Sequence, residues 1–230
     1  MTTIGTDFSN GSGAQAALRR SLFMCNDYER QIDWEQYCKA VAAAELGMKT
    51  AAGPGQLPPA EDVRINNEAP VMVATGNAVD LVPMRWSFLP ARAGRSPVFN
   101  FRSEGRTFAN SKRCLVPASA FFEFTGAKSP KNKWRFALKG SPVLAMAGLW
   151  REEDDRERRF TILTTSPGRD VKPFHDRQVV ILPPQDWAHW LYLDRPEAEI
   201  LKPLPEGSLQ VTLAREGADP PPERLRDLAK

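Results

Sequence analysis

Asn100-Phe101-Arg102-Ser103-Glu104 and, eight residues further on, Lys112-Arg113-Cys114-Leu115-Val116-Pro117-Ala118-Ser119-Ala120-Phe121-Phe122-Glu123-Phe124 decide how this chain is read. Leu115 and Val116 predict a short buried strand that Pro117 stops, because proline brings no N–H to a ladder. Past a turn of small residues, Phe121, Phe122 and Phe124 surround a single carboxylate, Glu123. Burial without a partner raises a carboxyl pKa, which suits such a glutamate to proton transfer near neutrality. Strand alternation offers the other reading, with Glu123 turned outward to water or to a nearby lysine.

Outward from this stretch, short apolar runs predict further strands. Residues 71–75 and 79–86, joined by Gly76-Asn77, read as a hairpin. Residues 134–138, 143–150, 160–165, 179–182 and 209–213 follow, with the charged run 151–159 as a solvated hairpin tip. Asp33 and Gln36 form a capping-box pattern that opens a helix, which Gly47 is suited to end. Cys38 reads as a packing residue of that helix. Residues 49–62 read as a Gly/Pro loop, and shorter helices are expected over 186–191 and 195–201. The class is therefore α+β: a single compact domain with a mixed, mainly antiparallel, barrel-like sheet and a few flanking helices. Residues 1–23 contain a Gly/Ser/Thr/Asn-rich segment with little to bury and are expected to be a disordered extension. Residues 24–213 form the domain, and the polar, Pro-rich residues 214–230 a loose tail.

The 230 residues carry a formal net charge of only +3, which excludes a basic nucleic-acid tail. A nucleic-acid partner would need local clusters, such as Arg85-Arg92-Arg95-Arg102-Arg106 or Lys128-Lys131-Lys133-Arg135, which equally suit a solvated face. The three cysteines cannot all pair and no C-x-x-C or His/Cys ligand spacing occurs, so free thiols in a reducing cytoplasm are expected, with no metal and no cofactor. No apolar run approaches a membrane span, and a secretory signal pattern is absent.

Of the two histidines, His189 lies among tryptophans and reads as packing, while His175 lies in a loop between apolar strands, where functional side chains are often carried. Asp176 can orient His175 or simply turn the chain. Cys25, Glu123 and His175 are of the types that make a thiol nucleophile with acid/base partners.

Met24-Cys25-Asn26, Arg85-Trp86-Ser87-Phe88-Leu89-Pro90, Asn100-x-Arg102-Ser103-Glu104, Arg113 to Ala118 with Phe121-Phe122-Glu123, Ala147-Gly148-Leu149-Trp150 and His175-Asp176-Arg177 occur in this order. Together they resemble the SOS-response-associated peptidase (SRAP) family, which includes abasic-site-processing proteins. The resemblance implies a single compact domain that binds single-stranded DNA and cross-links to abasic sites through an N-terminal cysteine, with lyase activity as a further possibility; a monomer is expected. By matching position it implies Cys25 as nucleophile, Asn100 as a positioning group, and Glu123 and His175 as proton-transfer groups. Arg102, Ser103, Thr164 and Arg177 match phosphate-contacting positions, and Trp86 a position beside the flanking bases. A thiol peptidase acting on its own N-terminus and a non-catalytic single-stranded-DNA-binding module are the alternatives.

Departures are visible too. Asn26-Asp27 stands where the family has Gly-Arg, so one expected phosphate contact becomes a negative charge, for which Arg30 is a candidate replacement. Cys25 is internal in the chain as written. Thiazolidine closure needs a free α-amine, so either translation starts at Met24 or residues 1–24 are removed.

Overall fold

The computed structural model describes residues 26–49, 53–92 and 94–229. In chain order its elements are β1 (Asp27–Arg30), α1 (Trp34–Ala43), β2 (Gly47–Met48), β3 (Ala60–Arg64), β4 (Glu68–Thr75), β5 (Ala78–Trp86) and β6 (Asn100–Arg102). Next come β7 (Lys112–Ala118), β8 (Ala120–Thr125), β9 (Asn132–Leu138), β10 (Leu144–Glu152), β11 (Arg158–Thr165), β12 (Gln178–Val179) and β13 (Ile181–Leu182). The chain then runs through α2 (Trp187–Tyr192), α3 (Glu197–Ile200), β14 (Leu209–Arg215) and α4 (Glu223–Leu228).

The strands form two sheets. The first has the order β14-β9-β8-β1-β3; the second runs β12-β11-β10-β7-β4-β5-β2, with β6 on β11 and β13 on β10. A parallel pairing of β5 with β11 bends the second sheet into a partial ring. Most pairings are antiparallel; β2–β5, β5–β11 and β6–β11 are parallel. The expected α+β class with a mixed, mainly antiparallel sheet is the observed one.

Two apolar layers explain why the central strands read as unbroken hydrophobic runs. One fills the space between the sheets, with Tyr28, Trp86, Phe121, Trp134, Phe136, Phe160 and Ile162 fully buried. The other lies under the helices, where Met72, Leu115, Ala145 and Leu163 meet Tyr37, Val41, Trp187 and Trp190. Leu115 and Val116, consecutive in β7, therefore point to different layers and both stay buried. α1 opens with the predicted capping box: the Gln36 backbone N–H donates to the Asp33 side chain at 2.7 Å, and the Asp33 N–H to the Gln36 side chain at 3.1 Å.

Three expectations are corrected. Pro117 does not stop β7 but lies within it, opposite Ala145 of β10. On its other side the β7–β4 ladder pairs only Leu115 with Met72, so no β4 residue is paired with Pro117 and a missing N–H is tolerated there. Gly47 does not end α1: Glu45 takes the left-handed turn at φ 55°, and Gly47 opens β2. A Cβ at Gly47 would lie 3.3 Å from the Asn77 carbonyl oxygen, so glycine serves close strand approach there. The C-terminal residues are docked rather than loose. The Gly217 N–H donates to Asn132 Oδ1 at 2.7 Å, Asp219 accepts from the Ala127 and Lys128 N–H groups, and α4 buries Leu225.

Candidate functional site

β6 and β11 run side by side with Asn100 opposite Ile162 and Arg102 opposite Thr164. β12 pairs with the same end of β11, Val179 opposite Thr164. Since β12 directly follows the loop 166–177, this register draws Asn100, Arg102, Ser103, Thr164, His175 and Arg177 to one edge of the second sheet. The Ser103 N–H and hydroxyl both donate to the Thr164 carbonyl at 2.9 Å. The Thr164 hydroxyl accepts from Arg177 Nη2 at 3.2 Å and reaches the Phe101 carbonyl at 3.5 Å.

Arg177 is held mainly by a residue to which the sequence reading gave no separate role. Its Nη1 lies 2.5 Å from Glu104 Oε1 and its Nη2 2.8 Å from Oε2, while the same carboxylate accepts from the N–H and hydroxyl of Ser166. The guanidinium beside it holds the Glu104 carboxyl down at about 2, assisted by these hydrogen bonds. Nothing local in the sequence links position 104 to 177; only the β6–β11–β12 register does.

Glu123 lies in the layer between the sheets. On β8 it shares a face with Phe121, and it stands opposite Trp134 of β9, so those side chains project to the same side. It is only 1% exposed, which overturns the outward-facing reading. The Trp134 ring meets the edge of Phe174 at 4.9 Å, and Phe174 also packs on Phe136 at 5.2 Å. This aromatic contact anchors the turn whose next residue is His175. Glu123 and His175, distant in sequence, are thus tied through Trp134 and Phe174.

His175 Nδ1 lies 3.1 Å from the backbone N–H of Arg177 and 3.2 Å from an Asp176 carboxylate oxygen. One nitrogen cannot accept from the first and donate to the second at once. The backbone donor is permanent, so in the neutral ring Nδ1 accepts and Nε2 carries the proton. His189, expected to pack, is partly exposed and lies 2.7 Å from Asp194.

Among the five residues matched to DNA contacts, Arg102 alone is exposed. Trp86 is fully buried, stacked on Phe160 at 6.2 Å and tilted against Tyr28 at 5.3 Å, with its indole N–H on the Phe99 carbonyl. No face of its ring is open to a base, so the flanking-base placement is corrected: Trp86 braces the sheets. Ser103 and Thr164 are likewise buried, as clips between β6 and β11.

Asp27 turns to the outer face of the first sheet, the side of Phe122. Lys133 lies 2.7 Å from Asp27, bonds Asp62 as well, and sits 3.7 Å above the Phe122 ring. Burial pushes the Asp27 carboxyl up to about 6, against the lowering effect of Lys133. Arg30 is buried, with Nε on the Pro58 carbonyl at 2.9 Å, and does not replace a surface phosphate contact.

Cys25 lies outside the described residues. Burial raises the thiol pKa of both described cysteines, Cys114 most, which argues against either as a ready nucleophile. Among the described residues no group of three or more His, Cys, Asp or Glu side chains could hold a metal ion, and no helix is long and apolar enough to cross a membrane.

A two-sheet α+β domain with a buried glutamate, a loop histidine and an arginine-bearing sheet edge is thus defined. The chain belongs to the SOS response associated peptidase (SRAP) family, whose model matches residues 24–215. It is similar to the abasic site processing protein YoqW of Bacillus subtilis, with 28% identity over 167 residues that cover 65% of this chain and 74% of the relative. With YoaM of the same organism, also named an abasic site processing protein, it shares 30% identity over 153 residues, 60% of this chain and 67% of the relative. Its fold is similar to a crystal structure of a protein from Bacteroides thetaiotaomicron, with a TM-score of 0.63 and 21% identity over 83% of this chain and 92% of that one.

Proposed function

We propose that this protein processes abasic sites in single-stranded DNA by forming a thiazolidine cross-link through Cys25 as the mature N-terminus. The observation that carries the reading is the link from buried Glu123 through Trp134 and Phe174 to His175, beside an edge that presents Arg102. Family membership and relatives named for abasic-site processing support the substrate. Chain length supports the nucleophile. Tyr28 pairs with Phe121, and Cys25 lies three residues before Tyr28, at most about 11 Å of extended chain away.

A ring-opened abasic sugar presents an aldehyde. The Cys25 α-amine adds to it, water leaves, and an imine results. The thiol sulfur then adds to the imine carbon, its proton passes to nitrogen, and the five-membered ring closes with high effective molarity. No oxidant or reductant is needed, and one water is released. An α-amine near pKa 7.8 is about 14% unprotonated at pH 7, against roughly 0.04% for an ordinary lysine, which favours the terminus over a lysine. Glu123 protonates the departing hydroxyl and afterwards takes a proton back; His175 transfers a proton at the sugar oxygen during ring opening. Asn100 orients the sugar. Such acid/base assistance is worth about 10² to 10⁴ in rate.

The test is incubation with an abasic oligonucleotide, followed by a denaturing gel and an intact-mass measurement of the protein from its native host. A shifted band that is lost in Cys25→Ala, with a mature chain beginning at Cys25, is expected. Cross-linking by a chain that retains residues before Cys25 would overturn the mechanism, since an amide nitrogen cannot form the imine.

A further inference from the structure

The turn that carries His175 has a second side. The Lys172 N–H bonds the Gly168 carbonyl at 2.9 Å and the His175 N–H bonds the Val171 carbonyl at 3.0 Å, so residues 168–175 wind helically. Val171 and Phe174 point into the core, and Lys172 and Pro173 point out. Facing them is α4, and between the two lies a groove of about 400 Å³ lined by Arg169, Lys172, Pro173, Arg224, Leu225 and Leu228. Its floor is apolar: Leu225 is buried, while Leu228 is 52% exposed, a high value for a leucine.

The charge along this groove is positive. Arg169 is paired with Glu206 at 2.7 Å, but among the described residues Lys172 and Arg224 make no ion pair. Helical geometry places Arg224, Leu225 and Leu228 on one face of α4 and turns Glu223, Arg226 and Asp227 away from its centre. Arg226 is occupied there by Glu216 at 2.6 Å. The family match ends at residue 215, so the whole α4 wall is an addition to the matched domain.

We infer that this groove is a second DNA contact, which takes the single strand as it leaves the abasic site, with backbone phosphates on Lys172 and Arg224 and a base on Leu228 and Pro173. The inference rests on the proposed abasic-site function. Cations spaced along an apolar floor match the alternation of charged backbone and flat base in a single strand. Residues three apart in a helical turn lie about 5–6 Å apart at Cβ, so a strand at His175 passes within reach of Lys172.

The experiment is fluorescence anisotropy of the mature protein, beginning at Cys25 and otherwise complete, with labelled, undamaged oligothymidylates of 5 and 15 nucleotides. The wild type should bind the longer strand more tightly. Lys172→Glu/Arg224→Glu should remove that gain, weakening the 15-mer about tenfold and leaving the 5-mer unchanged, and its salt slope should fall by about 1.4, some 0.7 for each phosphate lost. The Arg224→Glu single variant should account for part of the loss, whereas Arg226→Glu, an identical charge change on the opposite face of the helix, should alter 15-mer binding less than twofold. Equal binding of both lengths by the wild type, or equal losses for Arg224→Glu and Arg226→Glu, would overturn the groove. Cross-linking of a short abasic oligonucleotide is scored in parallel: a band in wild type and double variant alike retains the abasic-site reading whatever the groove does, and its absence in both rejects that reading.

Discussion

Glu104 holds both terminal nitrogens of Arg177, Nη1 at 2.5 Å and Nη2 at 2.8 Å, across 73 residues of sequence. A bidentate pair of this kind fixes orientation as well as charge. Arg177 is therefore a guanidinium aimed by its partner rather than a free surface cation, and it in turn holds Thr164.

The first prediction concerns that aim. Glu104→Gln keeps the shape and weakens the fork. Cross-linking at saturating DNA should slow about five- to tenfold. Affinity for undamaged strand should stay within threefold, because one fewer exposed negative charge is largely screened at physiological salt. A change in affinity alone would show that Glu104 acts only through the field. The Glu104 carboxyl is held at about 2, below its usual 4.5, so its stabilisation is fully present above pH 4.5 and is lost progressively as pH falls from there through about 2. The variant's stability deficit should accordingly be constant from pH 5 to 8.

Glu123→Gln tests the proton-transfer role. Glutamine fills the same volume in the inter-sheet layer, so the melting temperature should move by only a few degrees while cross-link formation or reversal slows at least tenfold. A large loss of stability at an unchanged rate would make Glu123 a structural residue.

His175→Ala should be milder. The turn is anchored by the neighbouring Phe174 on Trp134 and Phe136, so the loop should stay in place without the imidazole. Strand cleavage or ring opening should fall, with cross-linking partly retained. Wild-type levels of both reactions would remove His175 from the mechanism.

Asp27 supplies the pH dependence. Its carboxyl is raised from 3.8 to about 6, chiefly by burial, so the native state holds this proton where the unfolded chain has lost it. Its contribution is most favourable below pH 3.8 and is lost as pH rises through 6. Thermal melts of wild type and Asp27→Asn should therefore diverge in the wild type's favour as pH falls from 7 to 5, by a few degrees. A difference independent of pH would mean that the Lys133 pairing outweighs burial.

The sequence by itself determined the elements whose signals are local. The Asp33–Gln36 box, the Gly76-Asn77 hairpin and the apolar runs of β10 and β11 follow from side-chain period and turn chemistry, which need no distant partner. Ordered motifs likewise carried the family, and they singled out Glu123 and His175 as candidates. What tertiary structure decided depends on which strand lies beside which. Glu123 is buried because a second sheet covers its face; the three residues Phe-Glu-Phe read equally well as a surface strand. Trp86 is a brace because Tyr28 and Phe160, far away in sequence, close over its ring. Pro117 stays in its strand because no β4 residue is paired with it. Glu104 finds Arg177 because β6 and β12 flank the same end of β11. Burial, strand pairing and ion pairing between distant residues are properties of the packed chain, and no local pattern of residues encodes them.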